Sequence, residues 1–85
     1  MAGITVESRY LSDISVGDLN VKWSARGDRI LRYYIDFRHR TLNLHREVGA
    51  PDLFILQEKA NALLASWDEK TDRHNVKTMF ADGKA

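Results

Sequence analysis

The clearest pattern in the chain is an alternation of aliphatic or aromatic residues with mostly charged ones within residues 30–38. An alternation with a period of two is typical of a strand that buries one face. The aromatic and β-branched residues of this stretch also favour a strand. The sequence therefore predicts that residues 30–38 form the central strand of a sheet, with these side chains on its buried face: Leu31, Tyr33, Ile35 and Phe37.

Shorter alternations precede the central strand. Apolar residues alternate with polar ones over residues 4–10, which predicts a first strand. After Ile14 and Val16, the pair Gly17-Asp18 indicates a turn or a bulge. Residues 19–23 alternate again and predict a second strand, and a polar turn over residues 24–28 joins that strand to the central one as a hairpin.

The stretch that follows the central strand allows two interpretations. Leu42 and Leu44 continue the alternation and predict a fourth strand. Apolar residues between Ile30 and Val48 also fit the spacing of a helix, which Asp28 would cap. The strand interpretation is favoured because residues 29–46 contain no Ala, Glu or Lys, which are common in helices.

Residues 52–70 predict a long amphipathic helix. Pro51 suits its first turn, and the carboxylate of Asp52 complements the positive end of the helix dipole. Residues 71–85 are mostly polar, and we expect them to form a tail that is partly ordered at most. The buried face of the helix follows the three-four spacing: Leu53, Leu56, Ala60, Leu63, Leu64 and Trp67.

Together these elements predict an α+β fold with a single compact domain over residues 1–70. An antiparallel sheet of three to four strands packs against one long C-terminal amphipathic helix, with Leu63 in the core. The helical interpretation of residues 30–48 would instead give a β-hairpin followed by a two-helix hairpin. One helix is about 10 Å across and covers about two strands. Because apolar surface is left over, we expect a homodimer whose interface includes Phe54 and Ile55.

Composition excludes several kinds of chemistry. The chain has 85 residues and no cysteine, so it has no disulfide, no thiolate metal site and no cysteine nucleophile. Neither a secretion signal nor a membrane-spanning stretch is apparent, and we expect a soluble cytoplasmic protein with no membrane partner.

No motif for catalysis or metal binding occurs in the context that it requires. The spacing of His39, His45 and His74 does not match a zinc site, and we expect the first two to be solvated or to face phosphate. Asp52 and a later Asp68-Glu69-Lys70 resemble a nuclease pattern, but an intervening helix would separate the carboxylates by more than about 20 Å. We therefore expect a non-enzymatic protein with no catalytic residue, metal, cofactor or small-molecule substrate.

The positive charge is concentrated in the middle of the chain. Residues 22–46 carry seven Lys or Arg and two Asp, a net charge of +5, while each flank has a net charge of −2. In the strand interpretation, cations and a tyrosine share one face of the sheet, which suits phosphates and a stacked base. The predicted contacts with DNA or RNA are Lys22, Arg32, Tyr34, Arg38 and Arg40.

The order of three strands and a helix over residues 19–70 is similar to that of two small sheet-reading DNA-binding modules. One lies at the start of phage-type integrases, and the other is the plant AP2 domain. This resemblance in element order implies a nucleic-acid contact through the sheet. The alternative is a protein–protein interaction adaptor, or a homodimeric structural protein without nucleic-acid binding, that contacts its partner through Phe54 and Ile55 and shows little salt dependence.

Overall fold

The computed structural model describes residues 4–23 and 31–83, with an antiparallel sheet of four strands and one long C-terminal helix. The predicted α+β fold is thereby confirmed. The turn predicted over residues 24–28 lies outside the described residues. In chain order the elements are a 3-10 helix (Leu11–Asp13), β1 (Ile14–Val16), β2 (Asn20–Trp23), β3 (Leu31–His39), β4 (Leu44–Ala50) and α1 (Leu53–Gly83).

Strand β3 is the centre of the sheet, as its alternation predicts. Phe37 pairs with Val16 of β1 on one side and with Arg46 of β4 on the other. Tyr34 likewise pairs with both β2 and β4. Because a strand has two edges, β1 and β2 lie end to end along the edge opposite β4.

A bulge separates β1 from β2. Val16 pairs with Phe37 and Asn20 pairs with Tyr34, so three residues of this edge oppose two residues of β3. The backbone N–H of Gly17 donates to the carbonyl oxygen of Asp36 at 2.8 Å. An extra residue of this kind keeps the two short strands on one edge while it shifts their register.

The strand interpretation of the stretch after β3 is confirmed, and the helical alternative is wrong. A turn over residues 40–43 reverses the chain, and the Asn43 N–H donates to the Arg40 carbonyl at 3.3 Å. Asn43 has a φ of 54°, in the left-handed region that asparagine tolerates better than most residues. This asparagine is the turn-forming residue between the two strands.

Helix α1 packs on the face of β3 and β4 that carries the apolar side chains. At its start, the Asp52 carboxylate accepts the Ile55 N–H at 2.8 Å, which is the bonding of a helix N-cap. Leu63 is only half-buried at the margin of the core, so the prediction that it lies in the core is corrected, whereas Leu64 is fully buried. Among the side chains that the structure describes, the buried core consists of Ile14, Ile35, Phe37, Val48, Ala50, Leu56, Ala60, Leu64 and Trp67.

The helix is longer than the sequence predicts, because it continues past Lys70 to Gly83. Thr71 is buried, so the packed part of the helix also extends beyond the predicted end. No stretch of helix in the described part of the chain is both long enough and apolar enough to cross a membrane.

The strand predicted over residues 4–10 is wrong, because this segment joins no sheet. It is held instead by polar side chains of α1, which accept alternate backbone N–H groups. The N–H of Thr5 donates to Gln57 at 3.1 Å, and that of Glu7 donates to Asn61 at 2.8 Å. Asp68 accepts the N–H of the next alternate residue, Arg9, at 3.0 Å. The segment nevertheless alternates apolar and polar residues, because Ile4 and Val6 pack against the core.

The segment 4–10 and β4 contact opposite flanks of α1. Lys59 donates to the Gly49 carbonyl of β4 at 3.2 Å, whereas Gln57 and Asn61 hold the N-terminal segment. Positions two residues apart point about 160° apart around a helix, given its 3.6 residues per turn. The segment therefore lies beside the helix, on the side of β1 and β2.

A polar clasp fixes the end of this segment to the helix. Asp72 accepts hydrogen bonds from the Tyr10 hydroxyl and from the Arg9 guanidinium. The Tyr10 hydrogen bond, followed by the charge of Arg9, lowers the pKa of Asp72. The same hydrogen bond raises the pKa of Tyr10. Both shifts favour the pair in which the carboxylate is ionised and the phenol is neutral.

Candidate nucleic-acid interface

The five residues predicted to contact nucleic acid lie on the outer face of the sheet or at its end. Lys22 of β2 pairs directly with Arg32 of β3. Tyr34 and Arg38 lie further along β3 on the same face of the strand as Arg32. Arg40 lies in the turn after β3. All four cations are exposed, and Tyr34 is half-buried.

Lys22, Arg32 and Tyr34 form the first of two clusters. The Lys22 ammonium lies 4.8 Å from the centroid of the Tyr34 ring, and the Arg32 guanidinium lies 5.9 Å from it. The Arg32 Nε also donates to the Tyr34 hydroxyl at 3.3 Å. The ring covers Gly49, where a Cβ would lie 2.8 Å from Tyr34 Cε1. The ring is therefore already engaged by two cations and a glycine, and a stacked base would have to displace some of these contacts.

The second cluster contains Arg38 and Arg40. Arg38 pairs with Ser15 of β1 on one side and with His45 of β4 on the other, so the three residues form a row across the outer face. Together with Arg40 and Asn43, this row lines a cleft at the end of the sheet. Two guanidinium groups, a hydroxyl, an imidazole and an amide thus surround one open space. Such donors are those that bind phosphate oxygens.

Acidic residues separate the two clusters. Asp36 lies between Arg32 and Arg38 on the same parity of β3, and it pairs across the sheet with Glu47. The Asp36 carboxylate is 3.4 Å from His45 Nε2. The outer face is therefore not one continuous basic surface, although within the described residues Arg38 itself has no ion pair.

His39 was expected to be solvated or to face phosphate, and this prediction is wrong. Its side chain is 1% exposed, because His39 shares the parity of Phe37 and points toward the helix. Its Nδ1 accepts the Leu42 N–H at 3.2 Å, and its Nε2 lies 2.9 Å from Thr71 Oγ1. The Trp67 ring contacts it edge to face, with 5.9 Å between the centroids. His39 therefore links the end of the sheet to the helix.

The two residues predicted for a protein interface differ in exposure. Phe54 is 70% exposed at the start of α1, whereas Ile55 is half-buried and packs against the core. Val16 and Val21, on the edge opposite β4, are 44% and 46% exposed. The helix thus leaves part of the apolar sheet edge accessible.

Among the described residues, no group of three or more His, Cys, Asp or Glu side chains could hold a metal ion. Comparisons with protein families, with characterised proteins and with solved structures found no match for this chain.

Proposed function

We propose that the protein is a small non-enzymatic module that binds DNA or RNA through the outer face of its sheet. The observation that carries this proposal is the cross-strand row of Ser15, Arg38 and His45, which lines one cleft together with Arg40. The pairing of three adjacent strands fixes the backbone positions of these donors, so only their side chains must be ordered when a phosphate enters.

Two arginines of the cleft favour binding of an anion. Neither Arg38 nor Arg40 forms an ion pair with any residue that the structure describes, so an incoming phosphate breaks no salt bridge within that part of the chain. Asp36 works against binding, because its carboxylate lies close to His45. We therefore expect weak, salt-sensitive and sequence-independent binding, as is typical when phosphate contacts dominate.

A fluorescence-anisotropy titration with duplex and single-stranded oligonucleotides tests this function. With the four predicted cations each on one phosphate, log affinity for a duplex should fall against log salt with a slope of about −3.6. Arg38→Ala should reduce the magnitude of that slope by about 0.9 and weaken binding to unrelated sequences equally.

The matched control is Arg46→Ala. Arg46 is an exposed arginine of β4 that pairs with Phe37 and therefore lies on the opposite face of the sheet. Its removal should leave binding through the outer face nearly unchanged. An absence of binding at about 100 μM protein and low salt, where even non-specific complexes form, would contradict the proposal.

The role of Tyr34 separates single strands from duplexes. If a base displaces the cations from the Tyr34 ring, Tyr34→Ala should weaken single-strand binding by about 1–3 kcal/mol and affect duplex binding less. Equal losses for the two substrates would assign the ring a structural role on Gly49 instead.

The second candidate function is a protein–protein interaction adaptor or a homodimeric structural protein. It is favoured by the exposure of Phe54 and by the accessible valines of the sheet edge. Sedimentation equilibrium of the protein and of Phe54→Ser tests it. A salt-insensitive dimer that Phe54→Ser dissociates would support this function, and a monomer at all concentrations would contradict self-association.

A further inference from the structure

Helix α1 extends beyond the body of the fold. Thr71 is the last buried residue among those whose side chains the structure describes, and residues 73–78 are all exposed. The clasp to the N-terminal segment is made at Asp72. Residues 72–83 therefore form a projection of about 18 Å, given a rise of about 1.5 Å per residue.

One face of this projection carries a cationic stripe, defined by Lys70, Arg73, His74 and Lys77. These residues follow the i, i+3, i+4, i+7 spacing and line one continuous surface, and all four are exposed. Within the described residues none of them forms an ion pair, although Glu69 lies one turn before Arg73.

Stabilisation of the helix does not explain the cationic stripe. Cations favour a helix end only within the last turn, and the last turn of α1 contains no basic residue. Lys70 and His74, and likewise Arg73 and Lys77, are four residues apart, a spacing at which like charges destabilise a helix. The stripe therefore costs helix stability when its groups are charged, and an anionic partner would offset that cost.

We propose that the projecting helix is a second nucleic-acid contact that lies in the major groove of a duplex with its cationic stripe against the phosphates. A helix is about 10–12 Å across, and the major groove of B-DNA is about 12 Å wide. This inference rests on the proposed function, because it takes the ligand to be nucleic acid.

The stripe begins near the end of the sheet at which the cleft opens. The contact between His39 and Thr71 places the turn that carries Arg40 at the level of helix residue 71. The two candidate contacts therefore lie near the same end of the sheet, the stripe on the helix and the cleft on the outer face.

The experiment compares the protein with the triple variant Lys70→Gln, Arg73→Gln, Lys77→Gln in anisotropy titrations with duplex DNA. With three helix contacts added to the four of the sheet, the slope of the unmodified protein becomes about −6.3, and the triple variant returns it to about −3.6. The affinity change between about 50 and 200 mM salt then becomes about 40-fold smaller. Because the three side chains are exposed, circular dichroism should show an unchanged fold.

A charge-balanced variant separates the position of the cations from the net charge. It adds to the triple variant three changes at exposed carboxylates that form no ion pair within the described residues, which restores the net charge of +1. Binding should remain weak in this variant, and its recovery would overturn the proposal. The added changes are Asp18→Asn, Glu58→Gln and Glu69→Gln.

The outcomes distinguish the two sites. If Arg38→Ala weakens binding and the triple variant does not, the helix proposal is overturned and the sheet function stands. If only the triple variant weakens binding, the helix is the contact and the sheet function fails. If the protein binds vesicles rich in anionic lipid but no oligonucleotide, both proposals are overturned.

Discussion

Replacing His39 by leucine tests whether the buried polar network at the end of β3 stabilises the fold. Because Leu42 supplies an N–H to Nδ1, the ring hydrogen lies on Nε2 and donates to Thr71 Oγ1. The Thr71 hydroxyl in turn donates to the Trp67 carbonyl at 2.8 Å. Leucine fills a similar volume but offers no polar atom, so the Leu42 N–H loses its acceptor.

The magnitude follows from these contacts. Leaving a buried donor without a partner costs about 1–3 kcal/mol, and the partly buried Leu42 N–H belongs at the lower end of that range. Losing the edge-to-face contact with Trp67 adds about 0.5–1.5 kcal/mol. His39→Leu should therefore lower the free energy of unfolding by about 1.5–3 kcal/mol, a sizeable share of the about 5–15 kcal/mol typical of a domain. Thr71→Val keeps the side-chain shape and should cost about 1–3 kcal/mol, because Nε2 then lacks an acceptor.

Urea unfolding followed by circular dichroism measures both variants and the double variant. The double variant replaces both partners by apolar groups, so its cost should be smaller than the sum of the single costs by about 0.5–3 kcal/mol. Thr78→Val is the matched control, because Thr78 bonds a helix carbonyl in the same way but is exposed. Costs that add to within about 0.5 kcal/mol would refute the coupling between the two residues.

Three further predictions concern a core leucine, the glycine under the Tyr34 ring and the pH dependence of the N-terminal segment. Leu64→Ala should cost about 2–5 kcal/mol in urea unfolding, because Leu64 is fully buried. Gly49→Ala should move the Tyr34 ring, because the new Cβ would lie 2.8 Å from it; unchanged Tyr34 ring proton shifts would contradict this. The protection of the N-terminal amides, measured as exchange relative to the intrinsic rate at each pH, should be largest at intermediate pH. The lowered pKa of Asp72 stabilises docking above pH 3.8, and this stabilisation is lost on acidification. The raised pKa of Tyr10 stabilises docking below pH 10.0, and this stabilisation is lost in alkali. Asp72→Asn should remove the acid dependence.

Alternation along the chain predicted which backbone is extended more reliably than it predicted what that backbone pairs with. Residues 31–39 pair on both edges, and residues 4–10 join no sheet, yet both stretches alternate. The pattern reports that one side of an extended segment faces an apolar core. It does not report whether the backbone N–H groups meet another strand or the polar side chains of a helix, because those partners lie more than fifty residues away.

Some features that were missed have a local explanation in the sequence. The alternation of β3 extends to His39, so the sequence pattern itself places that histidine on the core face. The same alternation places Asp36 on the opposite, outer face, among the cations. For the cationic stripe, applying the helical spacing to charged residues as well as to apolar ones identifies Lys70, His74 and Lys77.

Whether a cation is available to a ligand is decided by residues that are distant in sequence. Arg9 and Arg38 both occur in alternating stretches, and nothing in their neighbours distinguishes them. In the folded chain Arg9 bonds Asp72, which is sixty-three residues away, whereas Arg38 stands between a serine and a histidine and has no ion pair within the described residues. A salt bridge must be broken before the first arginine can bind a phosphate, whereas the second has no such bridge to break among residues 4–23 and 31–83. Ligand contacts are therefore expected at the end of the sheet and along the projecting helix, and not on the N-terminal segment.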